Sequence, residues 1–323
     1  GLRPVATRDI GLGAQYPEWE WTARAYKADW TAVRDCDPDT SAAEPGLHAA
    51  RDARLLHQLK RIGTAPQTHR RRSEGESLDL RALVDFAVHR AGGQSADDRV
   101  YQSRMQTDHA LGVLVLLDAS GSTADAAGGS SQIWDEQRRL AANLVQGLEE
   151  VGDRVAAYAF RSFGRRDVRF LRLKDFDGRF DGPARARLGA LKPAGFTRLG
   201  AAIRHAQCRI IAGAGTRQML LVLISDGIAY EDGYEARYAD EDVRKALQEA
   251  ELGGVGCVCL SIGAVDADAG HRNWGASAHA WLPHAGALGP QVVNLFRTAL
   301  RSAIGRSHGS AMRRSASGWL QMR

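Results

Sequence analysis

The sequence predicts a doubly wound α/β fold with a mainly parallel sheet, and three observations carry that expectation. From residue 110 onward, strand-like apolar runs alternate with amphipathic helical stretches down to residue 305. Val113–Leu117, Met219–Ile224 and Val255–Ile262 are almost wholly apolar, as strands buried on both faces must be. The composition, 44% apolar and 25% charged over 323 residues, suits packed domains and excludes disorder and collagen.

Val113–Leu117 is the first buried strand, and Ile133–Leu148 has the apolar spacing of a helix lying on it. Arg154–Phe160 and Val168–Leu173 are the next strands, the second alternating in polarity. Leu199–Ala212 is a helix, Met219–Ile224 a strand, and Asp240–Leu252 a helix stopped by Gly253 and Gly254. Val255–Ile262 and the short Ala280–Leu282 complete the strands. Pro290–Ile304 closes the series as a helix with proline in its first turn.

The region before residue 110 lacks this alternation and is expected to form a smaller helical and irregular segment. Residues 37–46 hold two prolines and a glycine and predict a surface linker. Helices are expected at Leu47–Ile62 and Leu78–Ala91, the latter stopped by Gly92 and Gly93, with an exposed loop carrying His69–Arg72 between them. The expected organisation is therefore an N-terminal segment over 1–109, an α/β domain over 110–305 and a basic tail over 306–323.

Charge and cysteine usage narrow the classes further. The net charge of +5 is not spread along the chain: residues 1–110 carry 16 basic and 16 acidic groups, and residues 111–296 carry 21 and 22. The excess lies in Arg297, Arg301, Arg306, Arg313, Arg314 and Arg323, a run that reads as a solvated tail, so no nucleic-acid groove is expected. The longest apolar stretch, Leu111–Leu117, is far short of the roughly 20 residues a membrane span needs, so no membrane insertion is expected. Four unevenly placed cysteines predict a reducing, cytoplasmic setting. Gly1 is not an initiator methionine and no secretory signal follows it, which suggests a start within a longer protein.

In doubly wound sheets ligands bind beyond the carboxyl ends of the strands. There the first buried strand ends in Asp118-Ala119-Ser120-Gly121-Ser122, a carboxylate and two hydroxyls on alternate residues of a turn. Gly195-Phe196-Thr197-Arg198-Leu199-Gly200 adds a hydroxyl just before a helix, and the strand Leu220–Ile224 ends in Ser225-Asp226-Gly227. Oxygen donors without imidazole or thiolate suit a hard divalent cation such as Mg²⁺.

Asp118, Ser120, Ser122, Thr197 and Asp226, in that order, resemble the metal-ion-dependent adhesion site of von Willebrand factor A domains over roughly residues 110–305. Ser225 stands where that family usually has threonine. The resemblance implies Mg²⁺, with Mn²⁺ or Ca²⁺ as alternatives. Ser120 and Ser122 would ligate it directly, Thr197 directly or through water, and Asp118 and Asp226 mainly through water. It also implies an open position that accepts an Asp or Glu carboxylate from a partner protein.

A narrower resemblance covers nearly the whole chain. Tyr16-Pro17-Glu18-Trp19, Arg99-Val100-Tyr101, Asp167-Val168-Arg169, Lys174-Asp175-Phe176-Asp177, the Thr197–Ala206 run and the Tyr234–Tyr238 segment are similar to the C-terminal part of the CbbO and NorD family. Members work with a hexameric MoxR-type AAA+ ATPase, CbbQ or NorQ. CbbO-type proteins serve Rubisco activation and NorD-type proteins nitric oxide reductase maturation. This implies a non-catalytic adaptor, with Rubisco as the preferred client, docked through an acidic residue, and nitric oxide reductase as the alternative.

Other signals weigh less. Tyr16, Trp19, Trp21, Tyr26 and Trp30 crowd five of the chain's aromatics into fifteen positions, as a staple onto the α/β domain or, less favoured, a partner surface. Cys257 and Cys259 read as strand core, and His205 as helix surface. The absence of G-x-x-x-x-G-K-[ST] places ATP hydrolysis on another chain. Ser120 lacks the G-x-S-x-G elbow and stands where a phosphotransferase would need a second carboxylate, which leaves a metal-dependent hydrolase as the remote enzymatic alternative.

Overall fold

The computed structural model describes residues 13–41, 52–62, 67–93, 95, 97–105, 111–122, 130–226, 230–262, 274–289 and 291–303. They divide into two compact units, residues 60–109 and the remainder. The larger unit is built on an eight-stranded sheet ordered β1-β2-β8-β7-β6-β9-β10-β11. Its strands are β1 (Ala14–Glu20), β2 (Ala25–Cys36), β6 (Leu111–Asp118), β7 (Arg154–Ser162), β8 (Val168–Lys174), β9 (Gln218–Ser225), β10 (Val255–Ile262) and β11 (Ala278–Leu282). The run β7-β6-β9-β10-β11 is parallel throughout. β8 joins β7 antiparallel, β2 joins β8 parallel, and β1 joins β2 antiparallel.

β6, β9 and β10 are buried from end to end, which is why their sequences show continuous apolar runs. Alternate side chains serve opposite faces. Leu114, Leu116, Leu221, Leu223, Cys257 and Cys259 share one core with helices α5 (Leu199–Gly213) and α6 (Ala236–Leu252). α3 (Ser130–Val151) packs on β6, β7, β9 and β10 and touches α4 (Gly182–Ala190). A further helix, α7, runs over 292–303. Among the described residues no helix is long and apolar enough to cross a membrane.

The sequence reading of residues 14–36 as helical and irregular is corrected: they form the β1–β2 hairpin at one edge of the main sheet. The helical period was absent because this is an edge hairpin that buries charge. Glu18 is buried, and so are Thr31, Ala32 and Val33, while the first half of β2 is largely exposed. The helix expected at Leu47–Ile62 is described as α1 (Ala53–Lys60), anchored by Leu55 and Leu59, and residues 42–51 lie outside the described set. α4 had no sequence counterpart, although Asp181 caps it and proline stands in its first turn.

The smaller unit holds β3 (Gln67–Arg72), β4 (Ser77–Leu78), α2 (Leu80–Ala91) and β5 (Tyr101–Met105), its sheet ordered β3-β5-β4 with antiparallel pairing. Strand β3 thus occupies the region read as a charged loop. Asp79 caps α2 through its side chain, and Leu80, Val84 and Val88 form an exposed apolar stripe along it.

The hairpin aromatics are staples. Each tryptophan carries a cation: Lys245 lies 4.7 Å from the Trp19 ring centroid, Arg237 4.0 Å from Trp21 and Arg165 3.7 Å from Trp30. His205, expected on a helix surface, is instead buried against β1 and β2. Its Nδ1 meets the Tyr16 hydroxyl at 2.9 Å and its Nε2 meets Asp35 at 3.2 Å. Burial alone would push the Asp35 carboxyl up, but hydrogen bonds and charge from His205 and Arg209 outweigh it and hold it at about 2.

Because the folded state binds fewer protons there, this contact stabilises fully above the ordinary value of 3.8 and is lost as pH falls towards about 2. Asp35→Asn should therefore flatten the stability profile between those limits. The effect is modest because Asp35 keeps 40% of its side chain exposed. Acid titration followed by circular dichroism checks it, and an unchanged slope contradicts it.

Gly200, in the first turn of α5, shows how closely the helices approach. A Cβ there would lie 1.9 Å from Asp242 Oδ2 on α6 and 3.0 Å from the Tyr234 hydroxyl. Gly200→Ala should lower stability by about 1–3 kcal/mol, the usual cost of overpacking, despite alanine's better helix propensity. A denaturant midpoint at or above the parent's would contradict this packing.

Candidate functional site

β6 lies between β7 and β9, so the connection after β6 and the one after β8 run to opposite sides of it, and the carboxyl ends of β6 and β9 form the switch point of the sheet, where ligands of such folds bind. Asp118 ends β6. Its Oδ1 accepts the Ser120 backbone N–H at 3.0 Å and its Oδ2 accepts the Ser225 hydroxyl at 2.8 Å. The Ser120 and Ser122 hydroxyls stand 2.9 Å apart. Asp118, Ser120, Ser225 and Asp226 are all buried.

Backbone bonds bring Thr197 to this end. The Gly121 N–H donates to Gly195 O at 2.9 Å and the Ala194 N–H to Ala119 O at 3.0 Å. Phe196 exchanges two bonds with Ser162 at the end of β7, and the Thr197 N–H donates to Tyr230 O at 2.9 Å. Gly195 takes φ +73° in this loop, and a Cβ there would lie 2.4 Å from Ser162 O. The five residues read from the sequence thus sit on three loops, one after β6, one after β9 and one between α4 and α5, with Asp118 bonded directly to the turn of Ser120 and to the strand end before Asp226.

Burial and the negative charge of Asp226 push the Asp118 carboxyl up to about 7. Among the described residues no group of three His, Cys, Asp or Glu side chains forms a metal cage. The donors are two carboxylates and the hydroxyls of Ser120, Ser122 and Thr197. That all-oxygen set suits a hard cation, and a divalent charge would relieve the repulsion between the two buried carboxylates. The residues present fit the ion.

The sequence reading missed the charges that hold this site. Arg198, next to Thr197, donates to Glu231 through Nε and to Glu18 of β1 through a terminal nitrogen, and all three side chains are at most 4% exposed. Glu231 also accepts the Gly164 N–H at 2.8 Å, and the Tyr238 hydroxyl donates to Glu18. Burial pushes the Glu18 carboxyl up against the pull of Arg198. A second buried set adjoins it: Arg204 donates to Asp242 and Glu249, each at 2.8 Å, and the Trp19 N–H and Tyr234 hydroxyl donate to Asp242, each at 2.8 Å. The Tyr16–Trp19, Thr197–Ala206 and Tyr234–Tyr238 motifs, far apart in sequence, are this one network. Adjacency of Arg198 to Thr197 was the available signal.

Residues 113–279 match the von Willebrand factor type A domain family. An uncharacterized protein of Pseudomonas aeruginosa is 32% identical over 92% of this chain and 50% of its own length. Protein NorD of Stutzerimonas stutzeri is 33% identical over 78% of this chain and 42% of its own length, and protein NorD of Brucella suis is 34% identical over 76% and 39%. The chain therefore spans half or less of these curated relatives. Among solved structures, the vWF domain of the type V pili tip protein Mfa5 from Porphyromonas gingivalis aligns with TM-score 0.44 at 10% identity, covering 61% of this chain and 95% of that one. With its match over residues 113–279, the chain belongs to the von Willebrand factor type A domain family, in a NorD/CbbO-like form.

Proposed function

We propose that this chain is a metal-dependent adaptor that captures a client protein and presents it to a MoxR-type AAA+ ATPase. The observation that carries the reading is the carboxylate and hydroxyl set of Asp118, Ser120, Ser122, Thr197 and Asp226 at the switch point of the sheet. Ser120, Ser122 and Thr197 would hold a Mg²⁺ ion, with Asp118 and Asp226 behind them. The ion supplies an electrophilic position for a carboxylate of the client. The protein's own part is to fix the three loops and keep the buried carboxylates facing that position.

The relatives that bear a functional name are called NorD, which favours a nitric oxide reductase as client over Rubisco, the client the sequence reading preferred. Four free cysteines suit a reducing cytoplasm, where such an ATPase would find ATP. Thr197→Ala and Asp226→Ala, assembled with the ATPase, should leave basal ATP hydrolysis running and abolish client activation. Activation at the parental rate in both variants would overturn the adaptor reading.

A further inference from the structure

Three aromatic side chains stand exposed where the candidate metal site opens. Phe163 is 42% exposed, Phe196 45% and Tyr230 49%, although the strand ends beneath them are fully buried. Each is tied to a loop of the site. Phe196 directly precedes Thr197, Tyr230 O accepts the Thr197 N–H at 2.9 Å, and the Phe196 and Tyr230 ring centroids are 6.3 Å apart. A Cβ on Gly195 would touch the Phe163 ring at 3.0 Å, and Gly195 O accepts the Gly121 N–H of the Asp118–Ser122 turn.

On its Phe163 side this rim is cationic, with Arg169 paired to Asp167 at 2.9 Å. Residues 161–169 contain four arginines and one aspartate, a local charge of +3. The guanidinium of Arg169 lies 4.5 Å from the Phe163 centroid and that of Arg161 5.8 Å. Arg161 is half-withdrawn from water, and burial together with the charge of Arg169 lowers its pKa. Exposed aromatic rings beside arginines are the composition of interface hot spots, and large apolar side chains left in water gain from being covered.

We infer that Phe163, Phe196 and Tyr230, with Arg161 and Arg169, form a specificity collar for an acidic protein segment whose metal-seeking carboxylate is flanked by a large apolar side chain. The collar rests on the metal-site reading and goes beyond it: the ion selects for a carboxylate, the rings select its neighbours, and the arginines select the charge of the surrounding segment. An isolated carboxylate would use only the ion. A segment carrying both features would use all three.

Two synthetic acidic peptides of equal length and charge test this, one with its central aspartate between leucine and phenylalanine, the other with serine on both sides. Fluorescence anisotropy in Mg²⁺ is expected to show the apolar-flanked peptide binding the parent about tenfold or more tightly. In Phe196→Ala/Tyr230→Ala that preference should disappear, while Mn²⁺ affinity by electron paramagnetic resonance stays parental. Equal affinities for the two peptides, no binding of either, retention of the preference by the double variant, or tighter binding of a DNA duplex overturns the collar. The Mn²⁺ arm judges the underlying site separately, since a parent that binds no Mn²⁺ refutes the metal reading whatever the peptides do.

Discussion

Arg198→Met is expected to lower the unfolding free energy by about 3–5 kcal/mol, because it leaves Glu18 and Glu231 buried without their cation. That is a large part of the roughly 5–15 kcal/mol available to a domain. Methionine matches the arginine stem in length, so lost packing contributes little and uncompensated charge dominates. Glu18 is already pushed up with Arg198 present, so in the variant it should take up a proton and part of the loss should be recovered at low pH. Urea denaturation at neutral and acidic pH measures both. A variant within about 0.5 kcal/mol of the parent at neutral pH would mean that the triad is solvated in solution.

Asp118→Ala or Ser120→Ala should cost divalent-ion affinity by about 100-fold or more, since the effect should reach at least that of removing a residue that only supports a metal ligand. The fold should persist. Asp118 accepts hydrogen bonds from Ser120 and from the Ser225 hydroxyl, but its charge is buried beside Asp226, and removing it relieves that repulsion in the metal-free protein. Circular dichroism and Mn²⁺ titration on the same samples separate the two effects. Parental affinity in both variants would exclude these residues as the ion's support.

The central strands were legible because burial on both faces leaves no room for polar residues, so Leu111–Asp118, Gln218–Ser225 and Val255–Ile262 announce themselves as apolar runs. Among the candidate site residues, Asp118, Ser120, Ser122 and Asp226 were legible because they cluster directly after those runs, and Thr197 because it stands just before a helix. The β1–β2 hairpin was not, because Glu18 is buried through Arg198 and Tyr238, partners 180 and 220 residues away. An acidic residue without a nearby cation reads as exposed. His205 misled for the same reason, its partners Tyr16 and Asp35 lying 189 and 170 residues distant. Helix α4 was hidden by its Gly, Ala and Arg content, which gives little apolar period, so that only its Asp181 cap and the proline in its first turn marked it.

Asp118, Ser120, Ser122, Thr197 and Asp226 are proposed to hold a divalent ion for a partner's carboxylate. Anomalous differences collected at the manganese edge from crystals soaked in Mn²⁺ locate that ion. One strong peak is expected within ligand distance of the Ser120 and Ser122 hydroxyls, with Asp118 and Asp226 around it. No peak there in crystals that hold Mn²⁺ elsewhere would contradict it.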